Sequence, residues 1–312
     1  GGVVEELEQA FAAALGKERA VFMPTGTLAN HLAVRILAGG PSRAIVQAES
    51  HLYNDTGDTV QTLSNIQLVP LAPGRATFTL DDVRMLLDRT SSGRVATPVS
   101  VISIESPVRR RSGEIFDETE MDKITAFARQ NGIRTHLDGA RIFLQTGFGG
   151  RSAADYARPF DTVYVSLYKY FNAPSGAILA GPSALLDQMF HTRRMFGGGL
   201  AHVWPFAAIA LHYFRGFPER YARAVHVSNE WKQLISKHDA FSIKPVPAGT
   251  NLFLLQVKYP DLDLFRNKLA HQDVRLPAPL SDGSGFRLGI NESWGRITSS
   301  DLAGMFVQAV EV

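Results

Sequence analysis

The sequence predicts an α/β protein with a mostly parallel central sheet, helices on both faces and a smaller C-terminal α+β domain. Two observations carry this prediction. Up to about residue 182, short apolar runs typical of strands alternate with amphipathic stretches typical of helices. Beyond that point long helical stretches follow, and short strand-like runs return only after about residue 240. We therefore expect a large domain over residues 1–205 and a small domain over residues 206–312.

The elements of the large domain follow from periodicity and from turn residues. Val4, Leu7, Phe11 and Leu15 recur at helical spacing, and Gly16 ends the first predicted helix. The predicted strands are RAVFMP, RAIVQA, IQLVPL, VSVISI, IRTHLD, DTVYVSL and SGAILAG, and the helices predicted between them are GTLANHLAVRILAGG, LDDVRMLLDRT and FDETEMDKITAFARQNG. VSVISI is strongly apolar, as strands buried on both faces are.

The remaining elements are predicted in the same way. We expect helices at about 182–195, 203–215, 219–238, 261–271 and 299–311, and strands at 241–245, 251–257 and 285–290. The chain begins without methionine and runs directly into a helix. We therefore expect that an N-terminal arm precedes this sequence in the whole protein.

Composition excludes several functional classes. Of the 312 residues, 45% are hydrophobic and 20% are charged, as in an ordinary globular protein. The formal charge of +2 is too small to favour a nucleic acid or an anionic membrane as partner. There is no cysteine, so disulfides, thiolate metal sites and thiol nucleophiles are excluded. The absence of cysteine fits a cytoplasmic protein, which we therefore expect. We expect no bound metal, because the nine histidines show no close pair at metal-ligand spacing.

Common catalytic motifs are also absent from the sequence. It contains no G-x-G-x-x-G between a strand and a helix, no G-x-x-x-x-G-K-[ST], no H-E-x-x-H and no G-x-S-x-G. These absences weigh against a nicotinamide dehydrogenase, a P-loop enzyme, a zincin and an α/β-hydrolase. They do not exclude an anionic cofactor that is bound by residues outside these motifs.

Three features do indicate chemistry, and the first is the segment Thr25-Gly26-Thr27. A strand runs into this segment and a helix follows it. Gly26 allows a tight turn, and the free amides at the start of a helix can hold a phosphate. The alternative is that Thr25 or Thr27 only caps the helix.

The second and third features are an aspartate and a lysine in apolar surroundings. Asp138 ends the strand-like run in HLDGARIF, and a buried carboxylate needs a partner. That partner is either Arg141, in a structural ion pair, or a cationic ligand. Lys169 lies among apolar and aromatic residues between two strands, where desolvation favours a nucleophilic amine. The alternative is that Lys169 extends to solvent.

Together these features fit pyridoxal 5′-phosphate. This cofactor has a phosphate, a pyridine nitrogen and an aldehyde, and each of the three needs a different partner. A phosphate cup, a strand-end aspartate and a lysine about 30 residues later supply these partners. Asp138 would keep the pyridine nitrogen protonated, so that the ring can accept electrons.

Over essentially its whole length the chain resembles the low-specificity threonine aldolase group of the aromatic amino acid β-eliminating lyase family, which has fold-type I architecture. The similar segments are Thr25-Gly26-Thr27-x-x-Asn30, AESHLYNDTG, HLDGARIF, SLYKYFNAPSGAILAG, RRMFGGGL and FRLGI. The resemblance implies a homodimer or homotetramer, because the family builds its sites across a subunit interface.

The resemblance also implies a role for each matching residue. The cofactor would be bound by Thr25, Gly26, Thr27, Asn30, His51, Asp138, Arg141 and Lys169. Within this set Lys169 would bond to the aldehyde, His51 would stack on the ring and act as a base, and Asp138 would meet the pyridine nitrogen. Arg287, together with Arg141, would bind the carboxylate of the substrate.

The implied reaction cleaves a β-hydroxy-α-amino acid, of the threonine, allo-threonine or phenylserine type, into glycine and an aldehyde. Three departures from the family pattern bear on the substrate. Tyr168, Tyr170 and Phe171 surround the lysine, and the segment IESPVRRRSGE lacks the family's usual histidine and contains Arg109 to Arg111. After the triple glycine, Ala201 stands where the family often has an arginine. Alternatives are a β-eliminating lyase that releases pyruvate and ammonia from an aromatic or thio amino acid, and a non-catalytic binding protein. The arginine run is alternatively a solvated loop.

Overall fold

The computed structural model describes residues 2–95 and 97–311. The chain divides into two compact units, of which the first ends at Arg215 and the second begins at Gly216. Residue 205, the predicted boundary, lies inside the helix Trp204–Phe214. That helix packs against the first helix, Val3–Leu15, and therefore belongs to the first unit.

The first unit is built on a seven-stranded sheet with the strand order β1-β7-β6-β5-β4-β2-β3. The strands are β1 Arg19–Met23, β2 Ser42–Gln47, β3 Ile66–Leu71, β4 Val99–Glu105, β5 Arg134–Asp138, β6 Thr162–Ser166 and β7 Ala177–Gly181. All neighbours run parallel except β7, which is antiparallel to β1 and to β6. The predicted, mostly parallel α/β sheet is confirmed.

The register of three adjacent strands places the polar residues of the sheet side by side. Asp138 of β5 pairs with Glu105 of β4 and with Tyr164 of β6. Two residues earlier, His136 pairs with Thr162. Because side chains alternate along a strand, His136 and Asp138 project from the same face of the sheet.

Eleven helices accompany this sheet in the described part of the first unit. They are α1 Val3–Leu15, α2 Gly26–Ala38, α3 His51–Asn54, α4 Thr59–Ser64, α5 Leu80–Ser91, α6 Glu118–Gln130, α7 Ile142–Gln145, α8 Ala153–Ala157, α9 Ser183–Leu186, α10 Met189–Met195 and α11 Trp204–Phe214. The helix predicted at 182–195 is therefore two short helices. Arg109–Arg111 forms a single 3₁₀ turn.

Four phenylalanine rings form an aromatic core at one side of this unit. Phe171 meets Phe11, Phe143 and Phe214 at ring-centroid distances of 5.5, 5.6 and 5.5 Å. These rings come from α1, α7, α11 and the segment that follows Lys169. Phe171 is fully buried, so this packing fixes the lysine segment to the core of the unit.

The second unit has its own small sheet and its own core. Its elements are α12 Phe217–Ile235, β8 Phe241–Pro245, β9 Leu252–Val257, α13 Leu262–Ala270, β10 Phe286–Gly289 and α14 Ser299–Glu311, with a 3₁₀ turn at Glu292–Arg296. The strands form an antiparallel sheet in the order β10-β9-β8. Trp231 is fully buried against Phe253, Trp294 and Phe306. The predicted smaller α+β domain is confirmed.

Within the described ranges, none of the helices combines the length and the apolar character that a membrane span requires.

Candidate active site

A cleft of about 280 Å³ opens at the edge of the large sheet where the parallel strands end. Its walls are Thr25, Gly26, Thr27, His51, Tyr164, Tyr168, Lys169, Pro174 and Ser175. His51 follows β2, and Lys169 follows β6. Ligands of open α/β sheets bind outside the carboxyl ends of the strands, and this cleft lies there. The structure thus brings together five of the residues predicted from sequence.

The N-terminus of α2 forms one wall of the cleft. Thr25 caps the helix, because its hydroxyl accepts a hydrogen bond from the Leu28 N–H at 3.2 Å. The capping role considered for Thr25 is therefore observed, while Thr27 lines the cleft beside it. The first N–H groups of a helix have no partner within it, so they are available to an anion. A Cβ atom on Gly26 would lie 2.0 Å from the Tyr164 hydroxyl, so a larger residue does not fit at this position without a shift.

Asp138 is almost completely buried, at 3% exposure, and it is held by neutral donors. One oxygen accepts from the Asn30 Nδ2 at 2.6 Å, and the other accepts from the Ala140 N–H at 3.1 Å. Among residues 2–95 and 97–311, Asp138 and Arg141 form no ion pair. The structural ion pair considered from the sequence is therefore not formed.

Asn30 was predicted to bind the cofactor, and the structure directs its side chain to Asp138. Its oxygen lies 2.9 Å from the His136 Nε2, and the His136 Nδ1 lies 2.8 Å from the Thr162 hydroxyl. Complete burial lowers the pKa of His136 to about 4, so the ring is neutral at neutral pH. Sequence reasoning missed His136. Its position two residues before Asp138 was the available signal, since it predicts a shared sheet face.

The Lys169 amine lies beside the cleft, close to two tyrosine rings. Its Nζ is 5.9 Å from the Tyr164 ring centroid and 5.6 Å from that of Tyr168. In the part of the chain that the structure describes, no hydrogen bond or ion pair reaches this amine. Burial, followed by the charge of Arg141, lowers the pKa of Lys169 to about 8, and the charges of Asp138 and Glu105 act in the opposite direction. The amine is thus partly neutral at mildly alkaline pH.

His51 begins the short helix α3, which Ser50 caps. Its backbone N–H donates to the Glu105 carboxylate at 2.5 Å. Burial lowers the pKa of His51. The negative charge of Asp138 acts in the opposite direction but is the smaller effect. The buried Nδ1 has no hydrogen-bond partner among the described residues. His51 therefore offers an unpaired imidazole nitrogen next to the cleft.

Glu105 is a second buried carboxyl group at the site, and sequence reasoning did not identify it. Besides the His51 N–H it accepts the Arg109 N–H, at 2.8 Å. Burial, and then the charge of the adjacent Asp138, raise the pKa of Glu105 to about 7. The signal in the sequence was an acidic residue at the end of the apolar run VSVISIE. Its two backbone contacts link α3 to the arginine turn.

The remaining predicted residues lie in less enclosed positions. Arg141 follows β5, is partly buried and is close enough to Lys169 to lower its pKa. Arg287 lies on β10 of the second unit, where it is exposed. Arg109 and Arg110 both pair with Asp55, at 3.2 and 2.8 Å. These two side chains are about half exposed, so the arginine run is a solvated turn that is tied to the end of α3.

Of the aromatic residues around the lysine, Tyr168 lines the cleft and is exposed. Tyr170 and Phe171 are buried, and Phe171 belongs to the aromatic core. A larger cavity, of about 510 Å³, lies at the opposite end of β5 and β6. It contains none of the predicted residues, and two of its arginines are ion-paired, Arg134 with Asp161 and Arg158 with Asp155.

The polar groups of the cleft fit pyridoxal 5′-phosphate. The buried His51 Nδ1 has no hydrogen-bond partner among residues 2–95 and 97–311. With the Lys169 amine and the N-terminus of α2, it provides unpaired donors and acceptors around one small cleft. Asp138 supplies a carboxylate that neutral donors have oriented. Such a set matches a ligand with a phosphate, a ring and an aldehyde.

Comparison with known proteins identifies similar chains. The model of the family described as beta-eliminating lyase matches residues 2–258. The low specificity L-threonine aldolase of Saccharomyces cerevisiae is 28% identical over 271 residues, which are 82% of this chain and 66% of that protein. The alanine racemase TOXG of Cochliobolus carbonum is 32% identical over 190 residues, which are 59% of this chain and 47% of that protein.

One solved structure is similar to this chain over its whole length. A candidate L-allo-threonine aldolase from Listeria monocytogenes superimposes with a TM-score of 0.79 at 28% sequence identity. The match covers 100% of this chain and 86% of that one. The curated relatives are longer, since the chain spans from about half to two thirds of their length.

Proposed function

Because this chain belongs to the beta-eliminating lyase family, we propose that it is a lyase that depends on pyridoxal 5′-phosphate and cleaves β-hydroxy-α-amino acids. The products are glycine and an aldehyde, and the substrates are of the threonine, allo-threonine or phenylserine type. One observation carries the proposal: the unpaired amine of Lys169 and the oriented carboxylate of Asp138 lie at the ends of adjacent strands. The relatives named as threonine aldolases support the choice of reaction.

The family's cofactor is pyridoxal 5′-phosphate, which supplies an electron sink for bond breaking at the α-carbon of an amino acid. Several groups of the chain would hold it. The N–H groups at the start of α2 suit the phosphate, and Asp138 suits the pyridine nitrogen. The Lys169 amine suits the aldehyde, because its lowered pKa leaves it partly neutral.

The residues of the chain divide the remaining tasks. His51 is neutral at physiological pH because its pKa is lowered, so its unpaired Nδ1 can accept the proton of the substrate hydroxyl. Glu105 fixes the backbone of His51 and thereby the place of the ring. Arg141 makes no side-chain hydrogen bond or ion pair within the described ranges, and with Arg287 it is proposed to bind the carboxylate of the substrate.

The structure weakens the main reason for β-elimination of aromatic substrates. That alternative drew on three aromatic residues next to Lys169, and only Tyr168 lines the cleft. We therefore retain aldol cleavage as the proposed reaction.

The test is a product analysis of purified protein loaded with the cofactor. L-Threonine, L-allo-threonine and phenylserine should each yield glycine and the matching aldehyde. Formation of pyruvate and ammonia would replace the proposal by β-elimination. Racemisation of L-alanine without aldehyde would replace it by the reaction named for the Cochliobolus relative.

The role of Lys169 is tested on the same preparation. Borohydride reduction should attach the cofactor permanently to the wild-type chain, and Lys169→Ala should abolish this attachment. Lys123→Ala is the matched control, since Lys123 is exposed on α6. Attachment that survives in Lys169→Ala would assign the covalent role to another lysine.

Assembly as a homodimer or homotetramer and a cytoplasmic location are also proposed, on the resemblance described above. Light scattering after size-exclusion chromatography measures the assembly, and a monomer would contradict it.

A further inference from the structure

Four side chains form one continuous hydrogen-bonded line beneath the cleft. It runs from Thr162 to His136, from His136 to Asn30 and from Asn30 to Asp138, over distances of 2.8, 2.9 and 2.6 Å. Thr162, His136 and Asn30 are completely buried, and Asp138 is 3% exposed. The sheet register places His136 beside Thr162, and α2 brings Asn30 across the same face.

When the His136 ring is neutral, donor and acceptor chemistry allows this line two consistent directions. An ionised Asp138 can only accept, so Asn30 must present its NH₂ group to Asp138 and its oxygen to His136. The His136 Nε2 must then carry the proton. In a neutral ring the Nδ1 is consequently an acceptor, and the Thr162 hydroxyl must donate to it.

The opposite direction requires a protonated Asp138. The acid would donate to the Asn30 oxygen, the Asn30 NH₂ group would donate to the His136 Nε2, and the His136 Nδ1–H would donate to Thr162. An Nδ1–H tautomer of His136 would therefore require a protonated Asp138, whereas the Nε2–H tautomer requires the Asp138 oxygen that faces Asn30 to be an acceptor. A charged His136 would keep the first arrangement of Asn30 and Asp138, with both ring nitrogens donating and the Thr162 hydroxyl accepting, but at the cost of a buried cation. The lowered pKa of His136 disfavours that state.

We propose that His136, Asn30 and Thr162 are positioning residues that hold Asp138 ionised and aimed at the pyridine nitrogen, with His136 as the Nε2–H tautomer. That Asp138 faces a pyridine nitrogen rests on the proposed function. The direction of the hydrogen bonds from Thr162 to Asp138 does not depend on it. All donors in the line point toward Asp138, so their dipoles add in favour of its negative charge. A cation on the cleft side of Asp138 would be stabilised by the same charge.

Nitrogen-15 NMR of histidine-labelled protein tests the proposal directly, since the two ring nitrogens of a neutral imidazole have distinct shifts. The wild-type protein, with the cofactor and without it, should show His136 as the Nε2–H tautomer. Its signals are assigned by their loss in His136→Gln, and His31→Gln identifies those of the other histidine with a pKa lowered to about 4. An Nδ1–H tautomer in the wild-type protein would overturn the proposal.

Asn30→Leu supplies a second test, because it removes the acceptor that the His136 Nε2–H uses. A buried N–H without an acceptor is costly, so the proton should move to Nδ1 and be donated to Thr162. The apparent dissociation constant of pyridoxal 5′-phosphate should rise about tenfold, since a hydrogen bond to a charged group is lost. Thr162→Ser is the control: it keeps the hydroxyl, so the His136 tautomer and the dissociation constant of the cofactor should both stay as in the wild-type protein.

The outcomes separate this proposal from the proposed function. If Asn30→Leu keeps the Nε2–H tautomer and normal cofactor affinity, the line does not position Asp138, whatever the enzyme cleaves. If the wild-type protein yields no glycine from any of the three substrates, but His136 is the Nε2–H tautomer in the wild-type protein and the Nδ1–H tautomer in Asn30→Leu, the proposed function fails and the line stands. A variant that does not fold leaves the wild-type tautomer as the deciding measurement.

Discussion

At the scale of single residues, Asp138 shows how a charge can be buried without an ion pair. Hydrogen bonds to a charged group contribute about 1.5–3 kcal/mol each, whereas an exposed ion pair contributes about 0–1 kcal/mol. The Asn30 amide and the Ala140 N–H each donate such a hydrogen bond to the carboxylate, so the buried charge of Asp138 is stabilised without a guanidinium partner. One consequence is functional. Arg141 is left without a partner in the described part of the chain, and it remains available to a ligand.

The lowered pKa of Lys169 leads to a prediction about pH. Only the neutral amine attacks an aldehyde, so the rate of cofactor binding should rise with pH around a midpoint of about 8. Glu105→Gln removes a negative charge that raises this pKa, and the midpoint should therefore move to lower pH. Stopped-flow absorbance of the apo protein mixed with cofactor measures the rate.

Asp88→Asn is the control for this charge change. Asp88 is exposed on α5 and does not contribute to the pKa shift of Lys169. It should leave the midpoint unchanged. A midpoint near the ordinary lysine value of 10.5 in the wild-type protein would show that the amine is not desolvated.

At the scale of secondary structure, α2 combines two functions that belong to different parts of the cofactor. Its first turn lines the cleft, and Asn30, one turn further along, reaches Asp138. Because both lie on one rigid helix, the distance between an anion at the N-terminus and Asp138 is fixed by helix geometry. Moving the start of α2 should therefore disturb both contacts at once.

Gly26→Ala tests this coupling. The added Cβ would lie 2.0 Å from the Tyr164 hydroxyl and 2.5 Å from a ring carbon, so α2 or the tyrosine must shift. Overpacking of this kind costs about 1–3 kcal/mol, and we expect a lower melting temperature together with weaker cofactor binding. Absorbance titration and thermal unfolding measure the two effects. Gly40→Ala, whose Cβ would meet nothing within 4 Å, should change neither.

The sequence predicted the elements of the fold better than the contacts between them. Apolar runs such as VSVISI and DTVYVSL are long enough to identify β4 and β6, and both strands are found there. The helix α3, with four residues, is too short to show a period, so it was not predicted. The contact of Asn30 with His136 spans 106 residues, and no local pattern encodes it.

At the scale of the whole molecule, the two units have separate aromatic cores. The core of the first unit includes Phe171, two residues after Lys169, and the core of the second is built around Trp231. Sequence reasoning placed Phe171 near the substrate because it considered only the neighbours of the lysine along the chain. The ring instead faces α1, α7 and α11, since burial of a large apolar side chain outweighs its proximity to a polar site.

The stability of the molecule should fall in mild acid because of its buried histidines. The pKa values of His31 and His136 are both lowered from 6.5 to about 4, in each case mainly by burial. Between these values the unfolded chain binds more protons than the folded one, so the free energy of unfolding rises with pH. The stabilisation is present above pH 6.5 and is lost as the pH falls to about 4. Each histidine contributes at most about 3 kcal/mol.

His31→Gln isolates one of these contributions without touching the cleft. His31 lies on the inner side of α2 against Ser64 and the Phe196 ring, and glutamine keeps a polar group there. Urea unfolding followed between pH 4 and 6.5 should show a weaker pH dependence in this variant than in the wild-type protein. The exposed His226 provides the control, and His226→Gln should reproduce the wild-type slope. Equal slopes in His31→Gln and the wild-type protein would mean that His31 takes up its proton equally well in the folded state, and the acid sensitivity would then have to come from the carboxylates.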